Sequence, residues 1–144
     1  MAIVDTNKIK KPYIVDRDED VYIGLDFPLH RGDDRNGNFA STSTTLEAVK
    51  VNVTNLLQTE LGERVMQPSL GVELKQYLFE PFTEDIKLAI QNNIVDVFST
   101  WLPFVEIITL DIEMSKINTL KIFLEFVLNR DQDTVESVQV LIGE

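Results

Sequence analysis

Glu63, Arg64 and Glu80 are the side chains of this chain whose types and spacing suggest chemistry. The two acids flank the segment Gly62-Glu63-Arg64-Val65-Met66-Gln67-Pro68-Ser69-Leu70-Gly71, which is followed by Leu78-Phe79-Glu80-Pro81. Two carboxylates held close together are what glycoside hydrolysis requires, one as acid and the other as base or nucleophile. The chain holds 24 acidic residues, however, so a pair of acids says little, and Arg64 stands beside Glu63 to neutralise it. An arginine on a stiff loop also suits a bidentate contact with a carboxylate or with a set of backbone carbonyls. The plain structural alternative is a helix stop at a left-handed Gly62, followed by a turn stiffened by Pro68. The residues alone leave a site, an interface and a tight turn all open.

Other chemistries find little support. His30 is the single histidine and has no second ligand or nucleophile at motif spacing, so it reads as a surface residue. With no cysteine there is no thiolate metal site, disulfide framework or Cys/His nucleophile. Gly62 and Gly71 are too far apart for a phosphate loop, and no lysine–serine pair follows them. The run Asp16-Arg17-Asp18-Glu19-Asp20 lacks the glycine and distant glutamate of a calcium loop and reads as a solvated charge run. No cofactor and no metal are expected.

A length of 144 residues fits one domain with a real core, and an apolar fraction of 44% is ordinary for a globular chain. No run approaches the roughly 20 apolar residues of a membrane span. Met1 to Asp5 shows no basic-then-apolar signal pattern. The net charge is −11, with −2 over residues 1–43 and −9 over 44–144. Such a surface repels nucleic acid and anionic membranes, so neither is an expected partner; it fits either plain solubility or a basic partner.

These candidates must be carried by an α+β domain. Residues 1–43 read as an extended N-terminal arm, with a short β-rich stretch from Val21 to Pro28 and turn residues crowding between His30 and Ser43. Residues 44–144 read as the domain. Thr44-Thr45-Leu46-Glu47 is a capping box that starts a helix, along which Leu46, Val49, Val53, Leu56 and Leu57 recur at helical spacing, with Gly62 as its stop. A short helix over Val72 to Phe79 precedes a second long one, capped at Thr83 and ended by Pro103, with Ile86, Ile90, Ile94, Val97, Phe98 and Trp101 on its stripe. Three alternating segments follow: Val105 to Ile112, Leu120 to Leu128 and Val135 to Ile142, separated by Asn118 and by the run Asn129 to Asp133. The expected fold is two main helices packed on an antiparallel three-stranded C-terminal meander. The middle strand is apolar on both faces, and nothing follows the last strand to cover its edge, which invites strand addition by a partner.

The order helix, Gly-Glu-Arg-Val-Met-x-Pro-x-x-Gly, Leu-Phe-Glu-Pro, helix and β meander resembles the small baseplate wedge proteins of contractile-tailed bacteriophages. The same family includes a baseplate component of type VI secretion systems. The matching positions are Leu57, Gly62, Glu63, Arg64, Val65, Met66, Pro68, Gly71, Leu74, Leu78, Phe79, Glu80 and Pro81, within a likeness spanning Thr44 to Ile142. The chain departs from the family pattern at Gln67, Ser69 and Leu70. The resemblance implies a non-enzymatic subunit that joins two larger wedge proteins in a core bundle and starts the contractile sheath. It places Gly62, Glu63, Arg64, Pro68, Gly71, Phe79, Glu80 and Pro81 at the wedge interface. It places Leu120, Ile122, Leu124, Phe126, Val138, Val140 and Ile142 at the contact with the tail sheath protein. Six copies per baseplate are expected, in a virion tail assembled in the host cytoplasm. The alternatives are the type VI component and a lysozyme-like hydrolase using Glu63 and Glu80.

Overall fold

The computed structural model describes residues 22–32, 39–115, 118–129 and 131–143. Two helices lie on one face of a three-stranded antiparallel sheet, as the apolar periodicities require. Strands β1 (Gly24–Leu25) and β2 (Ser41–Thr42) form a separate small ribbon. Helix α1 (Thr45–Gln58), a short 3-10 helix (Lys75–Phe79) and helix α2 (Glu84–Trp101) follow. Strands β3 (Val105–Ser115), β4 (Thr119–Leu128) and β5 (Asp131–Ile142) complete the chain in the spatial order β3-β4-β5.

Helix α1 starts where the capping box puts it. The Thr44 hydroxyl accepts from the Glu47 amide at 3.2 Å, and the Glu47 carboxylate accepts from the Thr44 amide at 3.3 Å. Two of the four donors that a helix start leaves orphaned are thereby satisfied. Its end differs from expectation. The helix stops at Gln58, and Thr59 is already extended, so Gly62 is not the cap. The Thr59 hydroxyl donates to the Asn55 carbonyl at 2.6 Å, satisfying one last-turn acceptor. Helix α2 is capped by the Thr83 hydroxyl, which accepts from the Ile86 amide, and it ends just before Leu102 and Pro103.

The core is the sum of three stripes. Val49, Val53, Leu56 and Leu57 come from α1, and Ile90, Ile94 and Phe98 from α2. Leu120, Ile122, Leu124 and Phe126 of β4 are each 0% exposed. Burying one such aliphatic side chain contributes about 1.5–3 kcal/mol. Val72, Leu74 and Leu78 plug the space under the connection between the helices. Helix α1 packs over β5 and is tied to it by Lys50 and Glu136. Helix α2 packs over β3, where Gln91 Nε2 donates to the Leu110 carbonyl at 3.0 Å.

The simple alternation expected along β3 fails at one place. The register slips between Ile107 and Thr109, where an extra residue forms a bulge. Val105 and Ile107 therefore share the inner face with Leu110 and Ile112, while Ile108 is turned out. Strand β5 also starts earlier than expected. Asp131 already pairs with Leu128, so the run Asn129 to Asp133 is turn only at its beginning.

Of the expected arm, residues 1–21 and 33–38 lie outside the described residues, and with them the Asp16–Asp20 patch. The described remainder forms the ribbon, in which Gly24 pairs with Thr42 and Leu25 with Ser41. Tyr22, Ile23, Leu25, Phe27, Leu29 and Phe39 are all exposed there. His30 is exposed as well, with Nδ1 2.9 Å from the Pro28 carbonyl oxygen.

Candidate functional site

The segment from Glu60 to Gly71 is a compact loop whose ends meet. The chain leaves α1 at Thr59 and returns at Val72, whose amide donates to the Thr59 carbonyl at 2.9 Å. Gly62 N donates across the loop to the Pro68 carbonyl at 2.8 Å. Smaller turns fill the interior: Glu63 N to Glu60 O, Gln67 N to Arg64 O and Leu70 N to Gln67 O. A loop so thoroughly bonded to itself is a stiff platform rather than a loose connection. The two glycines have different reasons to be glycine. Gly62 has φ +81° in open space, whereas Gly71 has φ +126° and a Cβ there would lie 2.4 Å from the Thr59 carbonyl oxygen. Gly71 is what lets the returning chain touch the end of α1.

On this platform the charged side chains have separate tasks. The Glu63 carboxylate folds back to accept from the Glu60 amide at 3.0 Å. Arg64 Nη2 donates to the Asn55 side-chain oxygen at 3.2 Å, a neutral acceptor on α1. Among the described residues Arg64 makes no ion pair. Lys75 Nζ stands 4.0 Å from Glu60 Oε1 and links the 3-10 helix to the loop base. Between these groups, Val65 and Met66 are 91% and 92% exposed. Two apolar side chains thus stand almost wholly in water on a stiff crest, where covering them would be favourable. Phe79 is similarly bare at 83%, and Glu80 and Pro81 are exposed beside it.

Among the described residues no hydrogen bond joins Glu63 and Glu80, and both side chains are exposed. Among the described residues no group of acids or histidine could hold a metal ion, and no helix is long and apolar enough to cross a membrane.

The seven strand residues expected at a sheath contact all face the core. Leu120, Ile122, Leu124 and Phe126 lie on β4, whose two sides are already paired with β3 and β5. Val138, Val140 and Ile142 lie on β5, which among the described strands pairs only with β4, and their side chains are 9% exposed or less, so a further strand could meet only their backbone. The outward residues of β5 include Val135, Ser137, Gln139 and Leu141, of which the apolar Val135 and Leu141 are both more than half exposed.

Sequence reasoning missed two residues of the site. Asn55 sits on the polar side of α1, and nothing in its type announces that it holds Arg64. Trp101 reads as one more member of the α2 stripe, yet it is only half-buried. It lines a hollow of about 180 Å³ with Asn52, Asn55, Leu56 and Leu70. The exposure of Val65 and Met66 was equally hidden, because both are apolar and neither breaks a pattern.

The comparisons with known proteins agree with this architecture. The family model for the baseplate wedge protein gp25 matches residues 43–133. A structure described as a candidate tail lysozyme from Geobacter sulfurreducens is similar at a TM-score of 0.61 and 20% identity, covering 70% of this chain and 92% of that one. A chain of the anti-feeding prophage baseplate is similar at a TM-score of 0.55 and 22% identity, over 81% of each chain. A chain of the type VI secretion baseplate complex is similar at a TM-score of 0.52 and 12% identity, covering 67% of this chain and 91% of that one. At these identities the structural likenesses speak for the fold. No curated protein matches the chain in sequence. The family match spans more than half of the chain and includes the loop and the two helices that carry it: this chain belongs to the baseplate wedge protein gp25 family.

Proposed function

We propose that this protein is a non-enzymatic wedge subunit of a contractile phage tail baseplate, joining two larger wedge proteins and starting the sheath. The observation that carries the reading is the stiff loop that holds Val65 and Met66 in water beside an arginine that has no ion-pair partner among the described residues. Such a surface is costly alone and favourable once covered. The wedge junction comprises Gly62, Glu63, Arg64, Pro68 and Gly71 on the loop, with Phe79, Glu80 and Pro81 on the following corner. The tail sheath protein adds a strand to the free side of β5 by main-chain hydrogen bonds, above the helix-covered core. Six copies ring the baseplate of the virion. Glu63 and Glu80 are both exposed, and the Glu63 carboxylate is bonded to the Glu60 amide, which supports a structural role over a hydrolytic one.

The test is co-expression with the two larger wedge-like proteins encoded nearby, followed by co-purification. A complex of fixed stoichiometry is expected, and Arg64→Ala is expected to remain folded while losing it. An Arg64→Ala protein that unfolds would show that the arginine serves the fold and would remove the interface claim. Wall-degrading activity that disappears in Glu63→Gln and Glu80→Gln would establish the hydrolase instead.

A further inference from the structure

We infer that the hollow beside the loop is an anchor site for one segment of a larger baseplate protein. The segment inserts an aliphatic or aromatic side chain against Trp101 and pairs a nearby carboxylate with Arg64. This rests on the assembly reading above and names the chemistry of the partner at that junction.

The hollow opens where the polar side of α1, the returning end of the loop and the last turn of α2 meet. Its floor is apolar, formed by Leu56, Leu70 and Trp101, and its rim carries the amides of Asn52 and Asn55. Its volume of about 180 Å³ suits one large side chain; a cavity of about 150 Å³ is enough for a benzene ring. A half-buried tryptophan in such a wall is the residue type that most often dominates binding energy at an interface. The rim amides can meet the backbone of an incoming chain, which an apolar wall could not do.

Charge complementarity selects the partner's second group. Asn55 lines the hollow and also holds Arg64, so the guanidinium stands at its edge. That bond uses one of the five donors of the guanidinium, and among the described residues no carboxylate neutralises its charge. The neighbouring acids are otherwise engaged. Glu63 is turned onto the Glu60 amide, and the Glu60 carboxylate faces Lys75. An exposed planar fork is matched by a carboxylate, which accepts two parallel bonds. The crest residues Val65 and Met66 extend the contact beyond the hollow, which favours a protein segment over a free small acid.

Trp101 is the only tryptophan, so its emission reports on the hollow directly. The experiment uses the full chain and the two larger wedge-like proteins. Binding is measured for wild type, Asn52→Phe, Arg64→Gln and Arg64→Lys, and benzoylphenylalanine placed at position 52 captures whatever lies over the hollow. Complex formation is expected to shield Trp101 from iodide quenching. Asn52→Phe and Arg64→Gln are each expected to weaken binding by about tenfold or more, with Arg64→Lys recovering only part of the loss. The captured peptide is expected to carry an apolar residue close to an aspartate or glutamate. A complex that forms with unchanged affinity in Asn52→Phe and Arg64→Gln overturns the anchor site and leaves the assembly reading standing. Capture of a peptide without an acid does the same. Absence of any complex with wild type overturns both. Asn52 is exposed, so Asn52→Phe is expected to fold; if it does not, Arg64→Gln and the captured peptide still decide.

Discussion

Gly62 and Gly71 look interchangeable in the sequence and differ sharply in the structure. Both have positive φ, but only Gly71 is pressed against backbone. Gly71→Ala is expected to destabilise the protein by about 3 kcal/mol, since strain and a backbone clash act together. Gly62→Ala should cost only about 1–2 kcal/mol, the strain of a left-handed alanine in open space. Urea unfolding of the two variants checks the difference, and equal losses would contradict this account of the loop. Thr42 offers a prediction of the opposite sign. Its hydroxyl is buried and has no partner among the described residues. Thr42→Val keeps the shape and removes an unsatisfied polar atom, so it should stabilise by about 1 kcal/mol in the same measurement.

Helix starts and strand pairings show what elements add to residues. Thr44→Ala removes one half of a capping box whose two bonds are both formed, and should lower stability by about 1 kcal/mol. The contact between α2 and β3 is electrostatic as well as apolar. Lys87 Nζ lies 3.0 Å from Asp111 Oδ1. The hydrogen bond from Lys87, and then its charge, hold the Asp111 carboxyl below its ordinary value of 3.8. The same bond, offset in part by desolvation, holds Lys87 above 10.5. For Asp111 the folded pKa is the lower one, so its contribution is full above the ordinary carboxylate value and is lost as the pH falls through the folded pKa. For Lys87 the folded pKa is the higher one, so its contribution is full below 10.5 and is lost as the pH rises past the folded value. Both side chains reach solvent, so the effect is small and screened by salt. Comparing the unfolding of wild type and Asp111→Asn from pH 2 to pH 7 should show the two curves converging only at the acid end.

Among the described residues, two exposed surfaces differ in character: the loop crest with Val65, Met66 and Phe79, and the side of β5 that no described strand pairs. An edge strand with exposed apolar residues is a standing invitation to pair, and charged side chains are the usual way to close it. The double variant Val135→Lys with Leu141→Lys should therefore leave stability within about 0.5 kcal/mol per site, because both side chains are already exposed. It should reduce the number of sheaths that form on otherwise complete baseplates, counted by electron microscopy. Unchanged sheath formation would move the sheath contact away from β5.

Much of the fold is legible in local patterns because local physics decides it. The capping box at Thr44, the cap at Thr83 and the stripes of α1, α2 and β4 each depend on residues within a few positions of one another. The same holds for the order of the three strands, since consecutive antiparallel strands joined by short turns pair as neighbours. What the local patterns miss depends on contacts between distant segments. The loop's closure onto the Thr59 carbonyl ends α1 four residues before Gly62. A bulge at Ile108 reverses the alternation of β3, which no count of apolar and polar residues reveals. Arg64 finds Asn55 nine positions earlier, and Trp101 shares a hollow with Leu70 between α2 and the loop. Amino-acid type sets which groups are able to bond, bury or turn. Only the packed chain sets which of them remain uncovered, because exposure is a property of the neighbours and not of the residue itself.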